Sequence, residues 1–126
     1  MATIQAPSMR DAVYQGSQGN LSLAESQIVL AAAAGDIVEL LEMPIGMRIC
    51  SIDVVSEALG AGVTVEVKSG THTLVAAASH ADAVAKSVPV VPYSTADSGE
   101  KITATIAGGA ATGRLVINVK YVAVGY

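Results

Sequence analysis

Apolar and polar residues alternate through the central part of the chain, between Gly35 and Gly70. A period of two is the pattern of a half-buried strand, because successive side chains of a strand point to opposite faces. Residues 44–46 and 59–62 interrupt the alternation with proline and glycine, which favour turns. We therefore predict three strands joined by two tight hairpin connections, with inward-facing residues Cys50, Ile52, Val54, Val63, Val65 and Val67.

The same alternation returns near the end of the chain, on both sides of a glycine-rich stretch at 108–113. Two alternating runs separated by a short turn are typical of an antiparallel hairpin. The sequence predicts such a hairpin, with one strand presenting Ile102, Ala104 and Ile106, and the other presenting Leu115, Ile117, Val119 and Tyr121.

Residues 22–34 give conflicting local signals. Ser22 and Glu25 fit a helical capping box, and an alanine run leads to Gly35, which suits the position after a helix end. The run 27–30 fits a strand equally well. Helix propensity is a weak preference that tertiary context often overrides, so we favour a strand.

The segment 71–94 is also mixed. Residues 73–76 can complete a strand, and 79–86 can form either a short helical turn or an irregular crossover. Pro89 and Pro92 lack the N–H group that a sheet ladder requires. We expect residues 88–93 to form an edge strand or a connecting segment.

The first 26 residues differ in composition from the rest, being rich in Gln, Ser, Gly and Asn. Little apolar surface is present to offset the entropy of ordering them. We predict an extended N-terminal arm at 1–26, either frayed or ordered by a neighbouring subunit through Met9, Arg10 and Tyr14. Residues 27–126 then form one domain of seven or eight short strands, an all-β, jelly-roll-like antiparallel β-sandwich.

The composition favours an interaction protein. Hydrophobic residues make up 52% of the chain, yet only 14% of the residues are charged and Phe and Trp are absent. A monomer with so few charges would expose extensive apolar surface, which indicates an oligomer or a component of a larger assembly.

Charge and hydropathy exclude several classes. The net charge of −4 comes without a Lys/Arg cluster, which argues against nucleic-acid binding. No apolar run reaches the roughly 20 residues of a membrane span, and the N-terminus lacks the pattern of a signal peptide. We expect synthesis in the cytoplasm, no membrane partner, and a Cys50 that is buried as a small hydrophobic residue.

Candidate chemistry is sparse. His72 and His80 have too few potential co-ligands nearby for a metal site, so we expect ordinary surface histidines. The glycine spacing at 108–115 resembles a phosphate loop, but Arg114 and Leu115 replace the required lysine and hydroxyl residues. The sequence predicts neither an enzyme nor a cofactor.

Several strand-and-turn motifs carry a family resemblance, from Gly35 to Tyr121. They are GDIVELL at 35–41, MPIGMRI at 43–49, EALG at 57–60, VTVEV at 63–67 and GAATGRLV at 109–116. With these motifs the chain resembles the capsid cement, or head decoration, proteins of tailed bacteriophages.

This resemblance implies a structural protein of the virion, made in a bacterial cytoplasm, that lies on the outer surface of the capsid. Its implied partners are the major capsid protein and itself, as a homotrimer. We expect shell contact through the arm and one set of loops. The candidate loops are 44–47, 59–62 and 108–113, and the candidate contact residues are Pro44, Ile45, Met47, Leu59, Thr112 and Arg114. The alternative is a phage tail or fibre domain for attachment or host recognition.

Overall fold

The computed structural model describes residues 2–10, 12–13, 20–95 and 99–124. Within these ranges the chain forms nine strands and a short 3₁₀ helix at Pro7–Arg10. The strands are β1 (Thr3–Gln5), β2 (Leu21–Ala32), β3 (Ile37–Met43), β4 (Met47–Ser56), β5 (Thr64–Ser69), β6 (His72–Ser79), β7 (Val84–Ser94), β8 (Glu100–Ala107) and β9 (Ala111–Ala123).

The strands form two sheets that pack face to face. Sheet A has the order β1-β3-β8-β5-β6, and sheet B has the order β2-β9-β4-β7. All pairs are antiparallel except β1 with β3. With β1 set aside, each sheet has the four strands of a jelly roll, which confirms the predicted fold class.

All three predicted hairpins are wrong. Strands β3 and β5 belong to sheet A while β4 belongs to sheet B, and β8 and β9 also lie in opposite sheets. Among the described strands, β5 and β6 are the only consecutive pair that hydrogen-bond to each other. Alternation shows that one face of a strand is buried, but both sheets bury a face against the same core. The pattern therefore does not distinguish a hairpin from a crossover.

Two ambiguous segments are resolved by their partners. Residues 21–32 form a strand, as favoured, because all twelve pair with β9. Strand β7 is an edge strand of sheet B, as its prolines predicted, and Pro89 lies opposite Ser51 of β4. Proline lacks the N–H group that a sheet ladder needs, and at an edge this backbone position can face solvent, so no hydrogen bond between two strands is lost.

Cys50 departs from its predicted place in the core. The register of β4 against both neighbours shifts between Ile49 and Ser51, which is the mark of a β-bulge. The extra residue resets the alternation, so Ile49 and Ile52 are both buried. Cys50 is only half-buried, and its thiol lies 3.6 Å from the Arg48 carbonyl oxygen.

Residues 2–10 are not the loose arm that the sequence predicted. The Ala6 N–H donates to the Glu39 carbonyl at 2.8 Å, and Ala6 is buried. Ser8 is buried as well; its hydroxyl donates to the Leu40 carbonyl and lies 2.7 Å from Ser26 Oγ. The small side chains of Ala6 and Ser8 are buried, and backbone hydrogen bonds to β3 hold this segment in place although it buries little apolar surface.

The structure also moves the boundary predicted between residues 26 and 27. That position falls inside β2, which begins at Leu21. The polar composition of the N-terminal 26 residues concealed the start of a sheet strand.

The core fills the space between the sheets. Its largest fully buried side chain among the described residues is Tyr121, and the other members of the same core cluster come from both sheets. Burial of about 25 cal/mol per Å² of apolar surface makes this layer the main source of stability. Its fully buried members include Val38, Leu40, Ile49, Ile52, Ile102, Ile106, Leu115 and Ile117.

Gly108 occupies the tightest backbone contact between the β8–β9 and β4–β5 connections. Its φ is +83°, and a Cβ there would lie 2.0 Å from the Gly62 carbonyl oxygen. Gly35 has a similar φ of +91° but open space around it. The first glycine is required by both conformation and packing, the second by conformation alone.

We predict that Gly108→Ala destabilises the fold by about 3 kcal/mol or more, since positive-φ strain adds to a backbone clash. The control Gly35→Ala should cost only about 1–2 kcal/mol. Urea unfolding of both variants measures the difference. Equal losses would contradict the assigned contact between the two connections.

Candidate interaction surfaces

The connections collect at two opposite ends of the sandwich. The His80 end comprises the turns at 33–36, 57–63, 80–83 and 108–110, and the Pro44 end comprises 44–46, 70–71, Thr95 and Gly99. Backbone hydrogen bonds hold each end together. The Thr112 N–H donates to the Leu59 carbonyl at 3.0 Å, and the Thr95 N–H donates to the Met47 carbonyl at 3.0 Å.

The three loops predicted for shell contact do not share a surface. Loops 59–62 and 108–113 meet at the His80 end, whereas 44–47 lies at the Pro44 end. Thr112 and Arg114 are exposed near the first end, while Pro44 and Ile45 are half-buried at the second.

Two of the predicted contact residues belong to the core. The side chain of Met47 is 2% exposed and that of Leu59 is fully buried. Met47 directly follows a turn and Leu59 lies within the β4–β5 connection, where the sequence suggested exposure, but both side chains point into the core. Their side chains are therefore unavailable to a partner in this conformation.

Two of the predicted arm residues, Met9 and Arg10, lie in the 3₁₀ helix, which contacts β2 and β3. Met9 is half-buried and Arg10 is exposed at the end of the 3₁₀ helix; Tyr14 lies outside the described residues. A shallow groove of about 360 Å³ runs along the neighbouring edge of β2, and Pro7, Val29 and Arg114 contribute to its walls. Arg114 reaches from β9 to Gln27 of β2, with Nη1 3.4 Å from Oε1.

The outer faces of the two sheets differ sharply. The outer face of sheet A is polar: Gln5 donates to Glu39 at 2.9 Å, and Lys101 Nζ lies 3.1 Å from the same carboxylate. Those two contacts lower the pKa of Glu39, the Gln5 hydrogen bond more strongly. The outer face of sheet B instead exposes large aliphatic side chains, namely Leu21, Leu23, Val29 and Val55.

This aliphatic face was missed in the sequence. Leu21 and Leu23 had been assigned to the arm, and the alternation that places Ala24 and Ser26 inward also turns Leu23 and Glu25 outward. The sequence of β2 has apolar residues on both of its faces, and in a strand this pattern indicates that both faces are buried.

Charges on sheet B are paired near its centre. Lys120 Nζ lies 3.4 Å from the carboxylate of Asp53, and Ser87 donates to the same group at 2.5 Å. The Ser87 hydrogen bond, and then the charge of Lys120, lower the pKa of Asp53. Exposed ion pairs of this kind contribute little to the free energy of unfolding.

His80 is buried, which corrects its predicted surface position. Its Nδ1 lies 2.8 Å from Ser56 Oγ, its N–H donates to the Val63 carbonyl at 2.9 Å, and its carbonyl accepts from Leu59 at 2.8 Å. It thus joins two connections at one end of the sandwich. Burial, and then the positive charge of Lys86, lower the pKa of His80.

A second groove lies between β6 and β7, the edge strands of the two sheets on one side of the sandwich. Its volume is about 440 Å³, and Leu74, Val90 and Val91 are among the residues that line it. His72, exposed as predicted, stacks on Tyr93 with ring centroids 4.2 Å apart. Tyr93 donates to Glu100 at 3.0 Å, and burial raises its pKa to about 12.

The described residues contain no cluster of three or more His, Cys, Asp or Glu side chains placed to hold a metal ion. Within the same ranges, no helix has the length and hydropathy needed to cross a membrane.

Comparison with solved structures finds the same fold in phage capsids. A chain from the capsid of Ralstonia phage GP4 aligns with a TM-score of 0.71 and 19% identity, covering 98% of this chain and 99% of that one. A chain from the cyanophage Pam1 capsid asymmetric unit gives 0.67 and 17%, covering 88% and 90%. The acid-stable capsid of Helicobacter pylori bacteriophage KHP30 gives 0.57 and 15%, covering 84% and 90%.

No protein-family profile matches the chain, and no curated protein matches its sequence. At these identities the structural similarity shows the fold alone. It extends over nearly the whole length of both chains in the GP4 comparison.

His80 makes stability depend on pH in a defined window. Because its pKa is lower in the folded protein than the ordinary value of 6.5, the unfolded chain binds a proton first as the pH falls. Stability is therefore retained above pH 6.5 and declines below it, by up to about 1.4 kcal/mol per pH unit. Glu39 and Asp53, with lowered pKa values, add acid sensitivity only below about pH 4.5.

We predict that His80→Gln removes this decline between pH 6.5 and 4.5, whereas His72→Gln, at the exposed histidine, retains it. Chemical unfolding across that pH range measures both slopes. An unchanged slope in His80→Gln would show that another group is responsible.

Proposed function

We propose that this protein is a structural component of a bacteriophage virion, which binds the outside of the head and cements neighbouring capsid subunits. The observation that carries the proposal is the near-complete alignment, 98% and 99% of the two chains, with a chain from a phage capsid. The strand-and-turn motifs between Gly35 and Tyr121 point independently to the cement proteins.

The surface of the molecule supports this role. The low fraction of charged residues leaves broad uncharged areas, and large aliphatic side chains are exposed on one sheet face. Exposed apolar patches of this kind are typical of protein–protein contact. A cement protein requires several such contacts, because it joins its own copies and the subunits beneath them.

We assign self-association to the outer face of sheet B, and the expected oligomer is a homotrimer. Leu21 is 65% exposed and Val29 is 66% exposed on that face. In the register of sheet B, the paired charges of Asp53 and Lys120 lie between these two positions. Apolar contact supplies the free energy of association, and fixed charges restrict its orientation.

The partner of the trimer is the major capsid protein. A trimer that contacts several shell subunits at once gains from multivalency, since each further contact forms within one complex. Because the cement binds the assembled shell and not its separated subunits, binding stabilises the assembled state. Cementing therefore requires no chemical reaction.

We predict that heads assembled without this protein rupture at lower temperature than complete heads, and that adding the purified protein restores the difference. Release of packaged DNA during a temperature ramp, read by a DNA-binding dye, measures rupture. A rupture temperature that is independent of the protein would contradict cementing, and activity in adsorption assays instead would favour the tail or fibre role.

The self-association surface has its own test. We predict that Leu23→Lys, at a side chain that is 51% exposed on sheet B, shifts the purified protein from trimer to monomer. The control is Thr103→Lys on the outer face of sheet A, where the trimer mass should persist. Light scattering after size-exclusion chromatography reports the mass, and a monomeric wild type would contradict the assignment.

A further inference from the structure

The two sides of the sandwich, where the edges of the two sheets meet, differ in whether another segment covers them. On one side β1 adds to the edge of β3, and Ala6 and Ser8 fill the space beneath. On the other side β6 is the edge of sheet A and β7 is the edge of sheet B. No described segment covers the groove of about 440 Å³ at this second side.

The two strands that border the groove have different capacities for pairing. Strand β7 carries Pro89 and Pro92, which cannot donate to an added strand. Strand β6, with the sequence HTLVAAAS, contains no proline and no Lys, Arg, Asp or Glu. Edge strands are normally protected by such residues, because their free N–H and C=O groups pair with any suitable extended chain.

The groove favours apolar side chains beside that edge. Leu74 and Val90 line its floor and wall, and Val91 is 87% exposed, more than any other large hydrophobic residue among those described. Ala76 and Ala77 of β6 are exposed and small, so they leave room for a neighbouring backbone. An extended segment with alternating apolar side chains meets both requirements, backbone pairing and apolar contact.

Neither described terminus of a second copy offers a free extended segment. Ala2 and β1 are engaged with β3, where the Ala2 carbonyl accepts from Ile37 at 2.9 Å. At the other terminus, the Val124 N–H donates to the Gly46 carbonyl at 2.8 Å. The described termini of a second copy are therefore not the added strand, and the proposed function supplies a different protein, the capsid shell subunit, as its source.

We propose that an extended, uncharged segment of the capsid shell subunit binds along β6 as an added strand of sheet A, with its apolar side chains against Val91. This inference rests on the proposed function, which supplies the shell as partner. It assigns shell contact to one side of the sandwich and leaves the outer face of sheet B to self-association.

Two substitutions test the added strand. Ala77→Lys places a charge on the edge of β6, and Val91→Lys places one in the groove; both positions are exposed, so the fold and the trimer mass should be retained. The comparison variant is Ala34→Lys, which adds the same charge in an exposed turn at the His80 end. Binding to phage heads assembled without this protein is measured by co-sedimentation.

We expect Ala77→Lys and Val91→Lys each to bind heads at least about tenfold more weakly than the wild type. Ala34→Lys should bind like the wild type. If the wild type binds heads and both Ala77→Lys and Val91→Lys bind them equally well, the inference is overturned and the proposed function remains intact. A wild type that does not bind heads would overturn the proposed function and, with it, the named partner. Loss of trimer mass in the groove variants would identify a second copy as the occupant and also overturn the inference.

Hydrogen exchange separates strand addition from simple side-chain contact. Amides of β6 should become protected when the trimer binds heads, while the exposed turn at 33–36 should exchange as in the free protein. Unchanged exchange in β6 on bound heads would contradict an added strand.

Discussion

The structure depends on one shared apolar layer, which the inward faces of two sheets bury between them. Nearly every strand of the jelly roll contributes alternate aliphatic side chains to this layer, and Tyr121 is its largest member. Consecutive strands reach it from opposite sides, so most connections must cross from one sheet to the other at the ends of the sandwich. The tight contact of Gly108 with Gly62, and the buried His80 beside Ser56, are consequences of fitting these crossings together.

The local pattern of the sequence was sufficient for the inward faces of three strands, β5, β8 and β9. It identified β5, β8 and β9 by alternation and the edge position of β7 by its prolines. Pairing was not predictable in the same way, because a strand with one apolar face fits either sheet. The β8–β9 connection, interpreted as a hairpin loop, is a crossover for this reason.

The remaining errors also have physical causes. A bulge between Ile49 and Ser51 changes the alternation by one residue, and no glycine or proline marks it. The segment containing Ala6 and Ser8 is ordered by backbone hydrogen bonds and close fit, which composition does not report. Among the predicted contact residues, Thr112 and Arg114 are exposed, whereas Met47 and Leu59 belong to the core. Proximity to a turn is therefore a weak guide to exposure.

As a cement protein, the role proposed above, the chain would be a repeated component of a phage head, and its copy number tests that role most directly. Quantitative mass spectrometry of purified virions gives the ratio of this chain to the major capsid protein. The account predicts roughly one copy per capsid subunit, as expected for symmetric coverage of a shell. A few copies per particle would place the protein elsewhere in the virion, and its absence from particles would contradict a structural role altogether.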